Sequence, residues 1–422
     1  MAGPDEKRRL LLGALLALPA VRAAPPVPAM PVPDRAGLAL TAWQPGWLDI
    51  HHIATGRGNA TFVLLPDGTS LLIDAGASMN ALDVSVAPRP NAQRRPGEWI
   101  GRYVRRHLAR AGLDALDYLL VTHLHPDHTG DVDAGSPPSS RGAYRLSGVT
   151  DVAELVPVVT LVDRGYPDYA YPQRFDALFA DNYRAYVEAR RRAKLVVERF
   201  RVGSAGQFAG QGHVKTPLPF EVRNIAANGE VWTGQGDATR TLFPPLAPLP
   251  RADWPTENQC SAAIRIGYGR FRYFTAGDMT SYTNDGLLPW QDVLGPAAHA
   301  AGAVTVATAD HHGMFDGLDG DVVRTLRPRA WVIPSWHIAH PDMLQLERMF
   351  SERLYPGPRE VFATTVMREN LLANGRLTKR MRSHDGHVVV RVPPGGERFY
   401  VAVTGNEDES DTARLVTQAL PA

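Results

Sequence analysis

A single cysteine, Cys260, occurs in 422 residues, so no intramolecular disulfide can form and stability has to come from a buried core. Basic and acidic side chains are nearly balanced, 45 Lys and Arg against 44 Asp and Glu, which leaves no global basic field to draw the chain to nucleic acid. No apolar run beyond the first two dozen residues reaches transmembrane length, and no segment repeats at a fixed period. A chain of this size can bury the core that the missing disulfides make necessary.

The N-terminal residues read as a targeting segment. Lys7, Arg8 and Arg9 precede the apolar run from Leu10 to Val21, which is too short to span a bilayer and closes on small residues at Ala23 and Ala24. The expectation is a signal peptide over residues 1–24, a periplasmic or secreted protein, and no transmembrane anchor after cleavage. Arg8-Arg9 before three leucines also fits the twin-arginine pattern of proteins exported folded. Cleavage would change the formal charge from +1 to about −1. Residues 25–46 read as a proline-rich linker, residues 47–405 as the folded domain, and residues 406–422 as a polar C-terminal tail ordered only in part.

Within the domain, short β-rich runs alternate with helical stretches. Ala60 to Leu65 and Ser70 to Ile73 read as strands joined by the turn signal Pro66-Asp67-Gly68. Glu98 to Ala111 is amphipathic, and Leu116 to Thr122 is apolar nearly throughout, the mark of a strand buried on both faces. Val158 to Val162 is a further buried strand, and Phe175 to Phe200 reads as a long helix with an arginine-rich side. The run Arg190, Arg191, Arg192 and Lys194 on it reads as a solvated face. Strands are expected at Ala262 to Ile266, Phe271 to Thr275, Val304 to Thr308 and Ala330 to Pro334, with a closing hairpin at Val388 to Val392 and Phe399 to Val403. Two groups of strands with helices outside predict an α/β (α+β) architecture in four layers, αββα.

The chemistry concentrates in Thr122-His123-Leu124-His125-Pro126-Asp127-His128, immediately after a buried strand. Three histidines and an aspartate in six positions supply imidazole and carboxylate, the ligand types for zinc and similar divalent ions. An exposed histidine-rich loop is the bland alternative, and four potential ligands leaving one strand edge argue against it.

These residues resemble the metallo-β-lactamase superfamily, whose signature is HxHxDH at a strand end. The resemblance implies a metal set of His123, His125, Asp127, His128, Asp278 and His312 for two divalent ions, zinc first and manganese as the alternative. Ile73-Asp74-Ala75-Gly76 is similar to the first motif, with Asp74 supporting the ligand loop. Thr275-Ala276-Gly277-Asp278 is similar to the motif that ends in a bridging aspartate, and Asp310-His311-His312-Gly313 occupies the place of the last histidine. Leu65-Pro66-Asp67-Gly68, Glu257-Asn258 with Ser261, the paired histidines before Gly313, and His340-Pro341 resemble the hydrolase domain of the competence protein ComEC. The chain lacks that protein's membrane-channel segments, so DNA uptake does not carry over. One departure stands out: Glu257-Asn258-Gln259-Cys260-Ser261 lies where most of the superfamily places a further histidine. Glu257, Asn258 and His311 are therefore candidates for the metal or its surroundings. Asn258 as an oxygen donor would favour a harder ion such as manganese. Cys260 reads as a small buried apolar residue.

The resemblance implies a hydrolase that uses a metal-activated water. Asp127 would orient that water, and His340 would stand near the leaving oxygen. Tyr166 and Trp336, at strand ends, are candidate substrate contacts. A phosphodiester or related phosphate ester is the expected substrate; a cyclic ester or amide, as for a lactonase or β-lactamase, is the enzymatic alternative, and a metal-binding scaffold without turnover the alternative of another class. No protein partner is evident.

Overall fold

Each β-rich run of the sequence takes its place in one of two mixed sheets, in a computed structural model that describes residues 32–80, 82–216 and 219–422. The first half of the chain supplies β1 (Leu48–His52), β2 (Thr61–Leu64), β3 (Ser70–Ile73), β4 (Leu116–Val121), β5 (Val158–Asp163) and β6 (Val196–Arg199). The second sheet follows as β7 (Phe220–Ala227), β8 (Glu230–Trp232), β9 (Thr239–Thr241), β10 (Ala263–Tyr268), β11 (Phe271–Thr275), β12 (Val306–Thr308), β13 (Ala330–Ile333) and β14 (Glu360–Ala363). The chain then returns to the first sheet with β15 (His387–Val392), β16 (Arg398–Thr404), β17 (Ala413–Val416) and β18 (Leu420–Pro421).

The first sheet runs β17-β16-β15-β1-β2-β3-β4-β5-β6, with β18 paired to β16, and the second runs β14-β13-β12-β11-β10-β7-β8-β9. Strands β3 to β6 are mutually parallel, as are β11 to β14, so each sheet presents a row of carboxyl ends on one side. Alternation along the strands fills two cores at once. In β4, Tyr118 and Leu120 face the core between the sheets while Leu119 and Val121 face the helices; in β13, Ala330 and Val332 face the inner core, and Trp331 and Ile333 the outer one. A register slip of one residue would exchange these sets, which is why the pairing is strongly specified.

Helices α1 (Pro96–Arg110), α2 (Pro126–Thr129), α3 (Val149–Leu155) and α4 (Leu178–Arg192) belong to the first half; α5 (Leu294–Ala301), α6 (Gly320–Leu326) and α7 (Met343–Met349) belong to the second. Pro96 opens α1 with its φ already helical, and the Glu98 carboxylate accepts the Arg95 backbone N–H at 2.9 Å. Ile100, Val104 and Leu108 of α1, with Val152 of α3 and Tyr183 and Val187 of α4, cover the outer face of the first sheet. Leu294, Ala298, Val322, Leu326, Leu346 and Met349 cover the second. The expected four layers are present as two sheets and two helical coats.

Three expectations need correction. The helix read from Phe175 to Phe200 ends at Arg192; Lys194 takes a positive φ of 59°, and Val196 onward extends as β6 on the edge of β5. The β-branched pair Val196-Val197 suits a strand edge better than a helix end. Within the basic run, Arg191 and Arg192 pair with Glu188 on the exposed face, but Arg190 is buried and donates to the carbonyls of Val158, Val159 and Val196.

The folded body also begins earlier than Trp47 and continues past residue 405. Buried Asp34 accepts from Arg391 and from the Tyr400 hydroxyl, each at 2.7 Å. In the supposed tail, β17 pairs with β16, and the Asp411 carboxylate receives Arg106 and Arg110 of α1. Each segment supplies an acidic partner to buried or half-buried arginines, Asp34 to Arg391 and Asp411 to Arg106 and Arg110. Residues 32–422 form one compact unit. The signal-peptide reading of residues 1–24 and the first part of the linker lie outside the described residues, among which no helix is long and apolar enough to cross a membrane.

Candidate metal centre

The carboxyl ends of β4, β11, β12 and β13 meet, and the histidine-rich loop emerges there, as ligand sites do in open sheets of parallel strands. Asp74, just past β3, organises the first half. One of its carboxylate oxygens accepts the Thr122 N–H at 2.8 Å; the other accepts the Thr122 hydroxyl at 2.8 Å, the Asn59 amide at 3.1 Å and His128 Nδ1–H at 2.7 Å. The carbonyl of Asp127 accepts the Asn59 N–H at 2.8 Å and rests on two glycines. A Cβ on Gly76 would lie 1.8 Å from that oxygen and one on Gly58 would lie 2.4 Å from it, so the Asp-Ala-Gly motif needs its glycine for close approach.

The second half is delivered by the turns after β11 and β12. Gly277, at φ 57°, bends the chain so that Asp278 enters the cluster; His311 and His312, at φ 49° and 55°, are successive non-glycine residues in the left-handed region. Such positions are costly and persist where surrounding contacts fix them. Here Asp310 supplies one: its carboxylate accepts the Ala276 N–H and the Thr308 hydroxyl, each at 2.9 Å, and so ties the two turns together. Burial pushes the Asp310 carboxyl up to about 8.

Two groups of donor atoms result, each with all its atoms within 4.8 Å of one another: Asp127, His128, Asp278 and His312, and His123, His125 and Asp278. Asp278 belongs to both. Its Oδ1 lies 3.1 Å from His128 Nε2 and 3.5 Å from His312 Nε2, while its Oδ2 lies 3.7 Å from His123 Nε2. His312 Nε2 is 3.0 Å from Asp127 Oδ2 and 3.3 Å from His128 Nε2, and His123 Nε2 is 3.1 Å from His125 Nδ1. Donor atoms on one tetrahedral ion with bonds of about 2.0–2.1 Å stand roughly 3.4 Å apart, so these spacings fit a divalent ion in each group.

The charges fit as well. Burial opposes a proton on His128, but the carboxylates of Asp278, Asp74 and Asp127 outweigh it and hold its pKa well above the usual imidazole range. The same balance, with Asp278 foremost among the carboxylates, raises His312 to about 10. Asp127 and Asp278 resist burial because the cations of His128 and His312 hold their carboxyls far below the ordinary value. The carboxylates of the cluster thus favour positive charge at this point, as the ligands of a metal centre do. His123, buried and beside the His128 charge, has its pKa held well below normal and keeps a free lone pair.

Glu257 is not in either group. Buried beside Arg164, whose guanidinium makes a two-pronged ion pair with it, it accepts the Leu124 N–H at 2.8 Å and so braces the loop between His123 and His125. Asn258 donates from Nδ2 to His311 Nε2 at 3.1 Å, and its Oδ1 is buried without a partner. Cys260 is fully buried in the outer core of the second sheet, where desolvation pushes its thiol up to about 12. His340 stacks on His312 with ring centroids 4.9 Å apart, and buried Trp336 stands edge-on to both rings. Trp336, a candidate substrate contact, packs with 5% of its surface exposed as a wall behind His312. Tyr166 rests half-buried against the helix-side core of the first sheet. Sequence reasoning missed Asn59 and Asp316 and gave Arg164 and Asp310 no supporting role at the cluster, since the importance of these polar residues comes from the partners the fold gives them.

Residues 54–135 match the family model of the metallo-beta-lactamase superfamily. Among solved structures the chain is similar to a mutant of CmlA beta-hydroxylase at 11% identity and a TM-score of 0.38, covering 83% of this chain and 54% of that one. It is similar to a diphosphatase from the PhnP family at 11% identity and a TM-score of 0.29, with 68% of this chain and 85% of that chain covered. For the short form of human tRNase Z the values are 10% identity, a TM-score of 0.29, and 67% and 91% coverage. The chain spans about half the length of the hydroxylase. No curated protein matches the sequence. The matched segment takes in the histidine-rich loop from His123 to His128, and with it the part of the ligand cluster that leaves β4.

Proposed function

We propose that this protein is an exported metal-dependent hydrolase of phosphodiesters or related phosphate esters, similar to the ComEC-like hydrolase domains. The observation that carries the reading is the position of Asp278, whose two carboxylate oxygens face two separate groups of histidine donors. Residues His123, His125 and Asp278 would hold one divalent ion, and Asp127, His128, Asp278 and His312 the other, zinc first and manganese as the alternative. When bound, such a pair supplies Lewis acidity, a nucleophilic water near neutral pH, and a clamp on the attacking and leaving oxygens of an in-line displacement at phosphorus.

The chain's own residues do the rest. Asp127, 16% exposed at its side chain while His128 and His312 are buried, is the carboxylate of the cluster that reaches towards solvent and can accept a hydrogen bond from an incoming water and so orient it. Asp74 and the Pro334 carbonyl bind Nδ1 of His128 and His312, at 2.7 Å and 2.8 Å, and turn each Nε2 to the cluster. His340, buried and stacked on the His312 ring, has its pKa held well below normal chiefly by desolvation and would offer an N–H beside that ring to a developing oxyanion.

The test is hydrolysis of bis(p-nitrophenyl) phosphate, nitrocefin and acyl lactones by the protein reconstituted with zinc or manganese. Phosphodiester turnover that disappears in Asp278→Ala supports the reading. Turnover of the lactam or lactone alone would move the substrate class, and no turnover with two ions bound would favour the scaffold.

A further inference from the structure

The first group of donors, His123, His125 and Asp278, is one short of a four-ligand set, and Glu257 and Asn258 are the sequence's candidates for the missing donor. Neither fills the gap: Glu257 is committed to Arg164 and to the Leu124 N–H, and Asn258 turns its Nδ2, not an oxygen, towards the cluster. We infer that His311 completes the first metal position, with Asp316 as its orienting partner, in place of the histidine that the 257–261 loop lacks.

Four observations point to His311, which stands outside the 4.8 Å spacing of that group and would close on it when an ion binds. Its Nε2 lies 3.9 Å from Asp278 Oδ2, the same oxygen that stands 3.7 Å from His123 Nε2. His312 meanwhile faces Oδ1 at 3.5 Å, so the paired histidines straddle the aspartate, one to each oxygen. Second, His311 Nδ1 lies 2.6 Å from the Asp316 carboxylate, which fixes the proton on Nδ1 and leaves the Nε2 lone pair facing the cluster. This is the arrangement that Asp74 gives His128 and the Pro334 carbonyl gives His312. Third, the strand register brings the two residues together: Phe274 of β11 pairs with Ala307 of β12 in parallel, and Asp278 and His311 each follow four residues later. Fourth, the left-handed backbone at His311 holds the imidazole inward at a conformational cost that a surface histidine would not sustain. The Nδ2 of Asn258 sits at 3.1 Å from the Nε2 lone pair and is the group an ion would displace.

The inference rests on the two-ion reading above, and the experiment separates them. Metal-free full-length protein is titrated with zinc and with manganese, bound metal is counted by mass spectrometry, and imidazole nitrogens coupled to bound manganese are counted by pulsed electron paramagnetic resonance. Wild type and the variants His311→Ala, His311→Asn, Asp316→Asn and Asn258→Ala are compared; asparagine tolerates the left-handed backbone, so His311→Asn keeps the turn where alanine strains it. Expected are two ions in wild type, with one of them weakened about 100-fold or more and one imidazole coupling lost in both His311 variants. Asp316→Asn should weaken the same ion about 10- to 100-fold with the imidazole count unchanged, and Asn258→Ala should bind two ions. Two ions at wild-type affinity in His311→Asn, or loss of the first ion in Asn258→Ala alone, overturns the assignment of His311 and leaves the hydrolase reading standing. No ion bound by wild type overturns both.

Discussion

Asp74→Asn is the sharpest single perturbation of the centre, because it removes one charge and one acceptor site without changing size or backbone preference. Asp74 itself sits at φ 60°, a region asparagine tolerates. Its carboxylate serves four donors: Thr122 N–H, Thr122 Oγ1–H, Asn59 Nδ2 and His128 Nδ1–H. An amide has one oxygen, so its NH2 must face either the Thr122 N–H or the His128 Nδ1–H. In the first case a buried backbone donor is orphaned, at a cost of about 1–3 kcal/mol. In the second, His128 loses the acceptor that keeps its proton on Nδ1, and the proton can move to Nε2 and close the lone pair that should face the metal.

The second outcome reaches the metal directly. Removing the partner of a metal-binding histidine typically weakens affinity about 10- to 100-fold, or about 1.4–2.8 kcal/mol. The second ion, held by Asp127, His128, Asp278 and His312, should weaken by that factor, while the ion at His123 and His125 changes less. Competition against a chromophoric chelator measures both constants, and urea unfolding of the metal-free protein measures the folding cost separately. If both ions bind Asp74→Asn within about twofold of wild type, the second-sphere argument fails.

Metal binding should release about two protons per chain, since His128 is held protonated and His312 has its pKa raised to about 10. Because the raised pKa values favour the protonated form, affinity should fall as pH is lowered; calorimetry in two buffers of different ionisation enthalpy gives the proton count, and a buffer-independent heat would contradict it. Gly76→Ala should destabilise the protein by at least about 1–3 kcal/mol in urea unfolding, as its Cβ would meet the Asp127 carbonyl at 1.8 Å, and an unchanged midpoint would show the loop can move aside. Arg391→Leu leaves Asp34 and Asp49 buried without their cation and should cost about 3–5 kcal/mol, where a loss below about 1 kcal/mol would mean the network is replaced by water.

The histidine cluster was legible because its chemistry is local: four donors in six residues need no knowledge of the fold to be noticed, and the strand before them advertises burial on both faces. Asp278 and His312 were legible only through resemblance. Nothing within Thr275-Ala276-Gly277-Asp278 says where that carboxylate goes until β11 and β12 lie side by side. The tail beyond residue 405 was misread because composition counts polar residues as solvated, whereas Asp411 is the acceptor of α1 arginines some 300 positions earlier in the chain. Glu257 was left open between the metal and its surroundings for a related reason: its partner Arg164 lies 93 residues away, and only that pair decides whether the carboxylate is free to bind a metal. The end of α4 was missed because the polar run Arg190 to Lys194 continues a helical pattern, and the Lys194 backbone that breaks it leaves no mark in composition.

The stretch that matches the superfamily model, residues 54–135, holds four of the proposed donors but only half of a centre. His123, His125, Asp127 and His128 all leave β4, in the first sheet, whereas Asp278, His311 and His312 leave β11 and β12, in the second. Bound ions would therefore join the two sheets at their carboxyl ends, and the spacing of the donors depends on how the inner core sets one sheet against the other. That core is made by Leu71, Leu120 and Val162 on one side and Tyr273, Val306 and Val332 on the other, each fully or nearly fully buried. Close packing fixes such distances to a fraction of the length of a side chain, which is the tolerance a metal site requires. None of these core residues is itself among the donors. Binding energy would add to the stability of the folded state by mass action, about 2.7 kcal/mol at a hundredfold excess over Kd.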